Sequence, residues 1–345
     1  MTTLIPFSKK KTMLLLFGGE SSEHDVSLIS AKNIYGALDL NNLHVILGYI
    51  DRAGKWWHVE SIDAVAERSA IQLSPGRSVI VVNDTETPID ILFPVLHGKN
   101  GEDGTIQGLA RLMHMPLVGC TMTGSLLCMD KPLAKQLLRA VGIPVVRGEV
   151  FSSAGPIPRF GELTGRLGGT LFLKPARQGS SVGVGKVSNE EAFIEAFKEA
   201  AKYDTRILIE SAIDSPRELE VAVLGAPDNP DVSIVGEIIP DREFYSYESK
   251  YDSSSTSRLV IPANIAPDVA KQIRELAKQA YGILQCQSLA RVDFFLDTQG
   301  KLYLNEINTM PGFTNISMYP KLWEASGLSY PELISRLVQQ ATDTV

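Results

Sequence analysis

Cysteine is scarce: Cys120, Cys128 and Cys286 are the only three in 345 residues. With no C-x-x-C spacing among them, neither a disulfide framework nor a thiolate zinc site is expected. The five histidines are scattered without ligand spacing, which disfavours zinc altogether. Positive charge is not in excess either. Lys plus Arg total 33 against 40 Asp plus Glu, a formal charge of −7, so the chain is not built to coat nucleic acid or an anionic membrane. Long apolar runs are missing. Residues 13–17 form the longest near the start, and Gly18-Gly19-Glu20 ends it. It is too short to span a bilayer or to act as a signal peptide behind Lys9, Lys10 and Lys11. A soluble cytoplasmic protein is therefore expected, with no nucleic-acid or membrane partner. Two missing motifs narrow the chemistry. No G-K-[ST] follows the glycine-rich segment, and the turn at Gly18-Gly19 lacks the full G-x-G-x-x-G.

What is present suffices for real cores: 44% of residues are hydrophobic, and the length suits two to three domains. Residues 13–17, 45–50, 89–95 and 117–118 read as strands. They alternate with a helix over 26–38 and another over 104–114, where Ile106, Leu109, Ala110 and Met113 share a stripe. This is an open α/β domain whose strands are too apolar to be half-exposed. Asp130 caps a helix to about residue 140, with Gly142 beyond. A strand over 170–174 ends in Lys174. A capping box at Ser188 and Glu191 opens a helix lined by Phe193, Ala196, Phe197 and Ala200. With strands at 206–210 and 218–224, residues 139–225 form a small α+β unit. Residues 237–261 mix serines and charges with Phe244, Tyr245, Tyr247 and Tyr251, the composition of a loop that orders over a ligand. A helix over 266–281 and a hairpin, 289–296 with 301–307, follow. A second capping box, Ser329 and Glu332, opens the last helix.

The hairpin carries chemistry. Arg291 and Asp293 share one sheet face; Leu304, Glu306 and Asn308 share a face of the partner strand. Carboxylates inside apolar strands need partners or a metal. Asp293, Glu306 and Asn308 supply only hard oxygen donors, suited to magnesium, and Arg291 beside them suits an anionic oxygen. Magnesium on few carboxylates calls for a phosphate. The loop Gly179-Ser180-Ser181-Val182-Gly183-Val184-Gly185 can point successive N–H groups at one, with Lys174 and Lys131 adding charge. Glu23-His24-Asp25 follows the first strand, where open α/β sheets bind ligands. Glu23 suits an ammonium, His24 is a possible base, and Asp25 a possible helix cap. His97-Gly98 with Gly101-Glu102-Asp103-Gly104 forms a second polar loop at a strand end.

Six stretches in order carry a family resemblance: Gly18 with the segment through Ser27, Leu96 through Gly104, Gly179-Ser180-Ser181-Val182-Gly183, Phe244 through Tyr251, Arg291-Val292-Asp293, and Glu306-Ile307-Asn308-Thr309-Met310-Pro311-Gly312. From about residue 12 onward the chain resembles the D-alanine–D-alanine ligases of the ATP-grasp family. The resemblance implies a three-domain fold, α/β and α+β: an open α/β N-terminal domain (1–130), a central domain with the glycine-rich loop (131–228) and a C-terminal domain with the lid and magnesium site (229–345). It implies ATP between the last two. Lys131 and Lys174 fall to its phosphates, Glu210 and the Ala212 backbone to adenine, and Glu218 to ribose, with Ser181 and Lys250 also among the residues that bind it. Magnesium or manganese, as two ions, falls to Asp293, Glu306 and Asn308. Glu23 would orient the first D-alanine, with His97 nearby as a candidate base. Arg291 and the Gly312 backbone would serve the reacting carbonyl. Ser317 and the Met318 backbone would take the second substrate's carboxylate. Ser180, Tyr251 and Glu23 would tie the lid, 241–260, to the site. A homodimer is implied as well.

Gln178 stands where many relatives have Glu, which lowers negative charge beside the phosphates. A D-alanine–D-lactate ligase is the near alternative, and Tyr251 disfavours it. A non-catalytic nucleotide-binding protein is disfavoured by the joint presence of Lys174, Arg291, Asp293, Glu306 and Asn308. A periplasmic amino-acid-binding module is disfavoured by the missing signal.

Overall fold

The computed structural model describes residues 10–240 and 257–343. The strand Lys11–Gly18 is buried from Met13 onward, because it lies inside a sheet covered on both faces. It pairs in parallel with Leu43–Ile50 on one side and Ile91–Val95 on the other. The helix His24–Ala37 crosses between the first two strands, and Thr105–Leu112 follows the third. This is the expected α/β arrangement, but the sheet has seven strands. Four antiparallel strands, Trp56–Val59, Arg68–Leu73, Val79–Val82 and Thr85–Pro88, extend it beyond Leu43–Ile50. They escaped the sequence reading because they are short and largely half-exposed, and the single continuous apolar run among them, Val79–Val82, is four residues long. The expected strand at 117–118 is only a single bridge from Leu117 to Leu92.

A second sheet has four strands in the order Gly185–Val187, Leu171–Pro175, Arg206–Ser211, Gly148–Ser152. Its own apolar core joins Leu171, Leu173, Ile207 and Ile209 to Phe193 and Phe197 of the helix Glu190–Ala200. That helix is capped by Asn189, whose side chain accepts from Ala192 N, and not by the Ser188–Glu191 box. The third sheet runs Arg258–Val260, Gly236–Ile239, Arg217–Gly225, Ser288–Leu296, Leu302–Asn308. The strand expected at 218–224 in the small central unit is thus in the middle of the third sheet, paired with Ser288–Leu296 over nine residues.

One face of the third sheet packs on the helix Pro267–Ile283 and takes in Ala134 and Leu138 of the helix Lys131–Ala140. The other face shares one core with the first sheet, through Met318–Ala325 and Tyr330–Asp343. Asp130 caps Lys131–Ala140 as expected, accepting from Leu133 N at 3.0 Å, and the Glu332 carboxylate accepts from both the Ser329 N–H at 3.1 Å and the Ser329 hydroxyl at 2.6 Å, one half of the expected box. All three cysteines are free and buried, with Cys128 and Cys286 Sγ atoms 3.4 Å apart.

Candidate active site

The hairpin brings Asp293 opposite Glu306 and Arg291 opposite Asn308. Its register breaks between Asp293 and Phe294, where Asn305 is an extra residue. Leu304 is therefore not on the face of Glu306 and Asn308. It is 1% exposed and packs in the apolar core with Leu302 and Ile307. Asn305 and Glu306 both reach the large cavity instead.

That cavity, about 410 Å³, lies between the second and third sheets. Its volume is ordinary for a small-molecule site. The loop after Leu171–Pro175 forms one rim. Ser180 and Ser181 adopt φ of 52° and 57°, a left-handed stretch that turns backbone N–H groups to one side. Lys131 donates to the Gln178 carbonyl at 2.7 Å and lies 3.4 Å from Glu306, so it links loop and hairpin. Lys174, Ser181, Glu210, Glu218 and Asp293 also line the cavity. Ala212 does not join them among the described lining residues: Ser211 and Ile213 do, while the Ala212 N–H donates to Thr170 O.

Glu210 is 1% exposed and sits between two lysines, Lys174 at 2.9 Å and Lys135. Burial opposes its charge, but the two cations hold the carboxyl below its ordinary value. Burial likewise opposes the Lys174 ammonium, and Glu210 outweighs it to move the pKa upward. For Lys135 burial prevails over Glu210, and its pKa comes down to about 8. Arg291 forks onto Asp293 at 2.8 Å and reaches Glu220 at 2.9 Å. Burial works against this guanidinium too, yet Asp293 and Glu220 hold it well above its ordinary value.

A smaller cavity, about 100 Å³, adjoins the first. Glu23, His97, Asn308, Gly312, Ser317 and Met318 line it. Gly179, Ser180, Glu220, Arg291 and Glu306 line both. Glu23 is buried at the start of His24–Ala37, and Gly98, at φ 72°, leaves it room: a β-carbon there would be 3.2 Å from Glu23 Oε2. A β-carbon on Gly312 would be 2.7 Å from Ser317 Oγ. Ser317 precedes the helix Met318–Ala325, whose first N–H groups are oriented for an anion, and its hydroxyl meets Thr314 at 2.8 Å.

His97 is fixed rather than poised as a base. Its Nδ1–H donates to Met310 O at 3.0 Å, leaving Nε2 to accept from Ser30 at 3.2 Å. Burial lowers its pKa, against Glu23 and the Met310 carbonyl. His24 is likewise structural, donating to Gly19 O at 2.6 Å and meeting the Tyr49 hydroxyl at 3.3 Å. Asp25 is not the helix cap; it is exposed and paired with Arg52. Lys250 and Tyr251 lie outside the described residues, as does all of the expected lid except its end, where Arg258–Val260 forms an edge strand.

Two residues went unread in the sequence, and Glu102 was read only as part of a polar loop. Glu220 shares the face of Glu218 two residues away, and that spacing was a usable signal. Lys135 lies one helical turn after Lys131, a spacing that equally describes a solvated face. Glu102 lines the smaller cavity, where burial, with Glu23 adding to it, pushes its carboxyl up to about 8.

Comparison with known proteins agrees along nearly the whole chain. Family models for the D-Ala D-Ala ligase N-terminus and C-terminus match residues 12–120 and 137–339. A D-alanine–D-alanine ligase of Sodalis glossinidius is 44% identical over 349 residues, spanning 96% of this chain and 95% of that one. The solved D-alanine–D-alanine ligase from Coxiella burnetii superposes with a TM-score of 0.87 at 36% identity, over 98% of this chain and 95% of its own. The VanG D-Ala:D-Ser ligase from Enterococcus faecalis gives 0.88 at 34%, over 96% and 100%. The three-sheet architecture is accordingly the ATP-grasp fold that the sequence resemblance implied. By family models, full-length identity and fold alike, this chain belongs to the D-alanine–D-alanine ligase family.

Proposed function

We propose that the chain joins two D-alanine molecules into D-alanyl-D-alanine, with ATP converted to ADP and phosphate, to supply peptidoglycan precursor synthesis. The observation that carries this reading is the junction of the two cavities. A polyanion site opens into an amino-acid-sized site through Gly179, Ser180, Glu220, Arg291 and Glu306. Phosphates would lie against Lys131, Lys174 and the Ser181 loop, and the nucleoside toward Glu210 and Glu218. The first D-alanine places its ammonium at Glu23. Its carboxylate attacks the γ-phosphorus, ADP leaves, and D-alanyl phosphate forms. The second D-alanine, its carboxylate at Ser317 and the Met318 N–H, attacks that carbonyl through an unprotonated amine. Arg291 and the Gly312 N–H stabilise the oxyanion, and phosphate departs.

Asp293, Glu306 and Asn308 fit magnesium or manganese. They are oxygen donors on paired strands, Asp293 and Glu306 in the large cavity, where carboxylates outnumber cations, and Asn308 in the smaller one that adjoins it. When bound there, the metal would neutralise charge on the transferring phosphoryl group. Two ions, a homodimer and a cytoplasmic location complete the reading on the strength of the family resemblance. Among the described residues no helix is long and apolar enough to cross a membrane.

The acceptor is the part of the reading with a rival, since one similar structure is a D-Ala:D-Ser ligase. The test is phosphate release from ATP and magnesium with D-alanine alone, with L-alanine, and with D-alanine plus D-lactate or D-serine, products identified by mass spectrometry. D-alanyl-D-alanine is expected as the main product. Folded protein with no D-alanine-dependent turnover would sink the ligase reading, and preferential formation of the mixed product would reassign the acceptor.

A further inference from the structure

Lys135 follows Lys131 by one turn of the helix Lys131–Ala140 but faces inward, 5% exposed. Its ammonium is ion-paired with Glu210, and Lys174 reaches the same carboxylate at 2.9 Å. Glu210 and Lys174 line the large cavity, and Lys135 stands behind them. Neutralising Glu210 does not require both lysines, because Lys174 alone would make a neutral pair. A second buried ammonium is a cost the fold gains nothing from if that is its whole purpose. What the second lysine changes is the charge left over. With Glu210 held by Lys135, the trio carries one net positive charge, and Lys174 presents it to the cavity. The setting makes that charge count: six carboxylates line the cavity against the cations Lys131, Lys174, Lys186 and Arg291. A polyanion entering there is repelled unless each cation is available to it.

We propose that Lys135 is a positioning residue for ATP, holding the Glu210 carboxylate from behind the cavity wall so that Lys174 keeps its charge for the phosphates. This rests on the nucleotide reading of the large cavity.

The test compares KM for ATP, KM for D-alanine and calorimetric binding of ADP with magnesium in the full chain and its variants. Lys135→Met leaves Glu210 paired with Lys174, so no buried charge is stranded. KM for ATP and Kd for ADP are expected to rise about tenfold, with KM for D-alanine changed by less than about twofold. Lys135→Arg, which restores the charge, is expected to recover most of the loss. In a Glu210→Gln background, Lys135→Met is expected to change nucleotide affinity by less than about twofold, because no carboxylate remains to be held. Should Lys135→Met fail to fold, Lys135→Gln keeps a donor to Glu210 without the charge and carries the same expectation. Unchanged nucleotide affinity in a folded, uncharged variant, or an equal effect in both backgrounds, overturns the proposal. If the unaltered protein binds neither ATP nor ADP, the nucleotide reading itself fails and takes the proposal with it.

Discussion

Ser30 is a small neutral residue in the middle of a helix, fully buried, and it joins two ends of the site. Its hydroxyl accepts from Phe313 N at 3.3 Å and meets His97 Nε2 at 3.2 Å, while Asn33, one turn on, donates to Phe313 O at 3.1 Å. With the His97 bond to Met310 O, these contacts bracket Pro311 and Gly312 from both sides. The Gly312 N–H is thereby aimed by the first sheet's helix. Ser30→Ala strands a buried N–H, at a cost of about 1–3 kcal/mol, and loosens that aim. KM for ATP is expected to hold while dipeptide yield per ATP consumed falls. The ratio of dipeptide to phosphate released measures this, and an unchanged ratio would reject the role. No feature of the sequence announces Ser30, because its partner Phe313 is 283 residues away and serine in a helix is otherwise indifferent. Asp293 and Glu306 were legible for the opposite reason. A carboxylate inside an apolar strand is anomalous wherever its partner lies. Lys135 was not, since only the fold reveals that a lysine at helical spacing points inward.

Several elements whose pattern is local came through, though the meander over 56–88 did not despite pairing only between neighbours in sequence, and pairings fixed by distant residues were not legible. The hairpin, the helix Pro267–Ile283 and the caps at Asp130 and Ser329 were each readable from a short window. Arg217–Gly225 was readable as a strand but not as a member of the third sheet, because register with Ser288–Leu296 is a long-range fact. The bulge at Asn305 is the instructive miss. A strict period of two puts Leu304 with Glu306 and Asn308, whereas omitting Asn305 from the count gives the observed alternation of core and cavity. The bulge therefore exists to twist and aim, not to rescue the core pattern. Deletion of Asn305 is expected to leave a cooperative fold, with regular pairing from Asp293 through Phe294, and to cut turnover about tenfold or more as Glu306 swings away from the phosphates. Thermal unfolding and steady-state kinetics on the same sample separate the two effects. Unfolded protein, or full activity, would each contradict this account of the bulge.

At the scale of the molecule, the three sheets do not share their cores equally. The first and third are joined through one continuous apolar cluster, so they form a single mechanical body. The second sheet keeps its core to itself, with Phe193, Phe197, Leu171 and Ile209 packed together. It meets the rest across the large cavity, where its contacts are polar: Lys131 to the Gln178 carbonyl, Arg206 to Asp130, and the Glu210 trio. A net charge of −7 leaves the surface indifferent to polyanions, yet this seam gathers lysines from both bodies. ATP bound in the seam should act as a strut between them, and D-alanine in the smaller cavity should not. ADP with magnesium at about a hundred times Kd adds about 2.7 kcal/mol to stability by mass action. That stabilisation should be distributed across the seam. Hydrogen exchange is expected to slow both in Leu171–Pro175 and the following loop and in Ser288–Leu296 with Leu302–Asn308, on either side of the nucleotide. D-alanine alone is expected to slow exchange around Glu23, His97 and Met318 while leaving Leu171–Pro175 unaffected. Protection by the nucleotide confined to one body would mean that the second sheet holds it without the third, and the two-sided site would have to be abandoned.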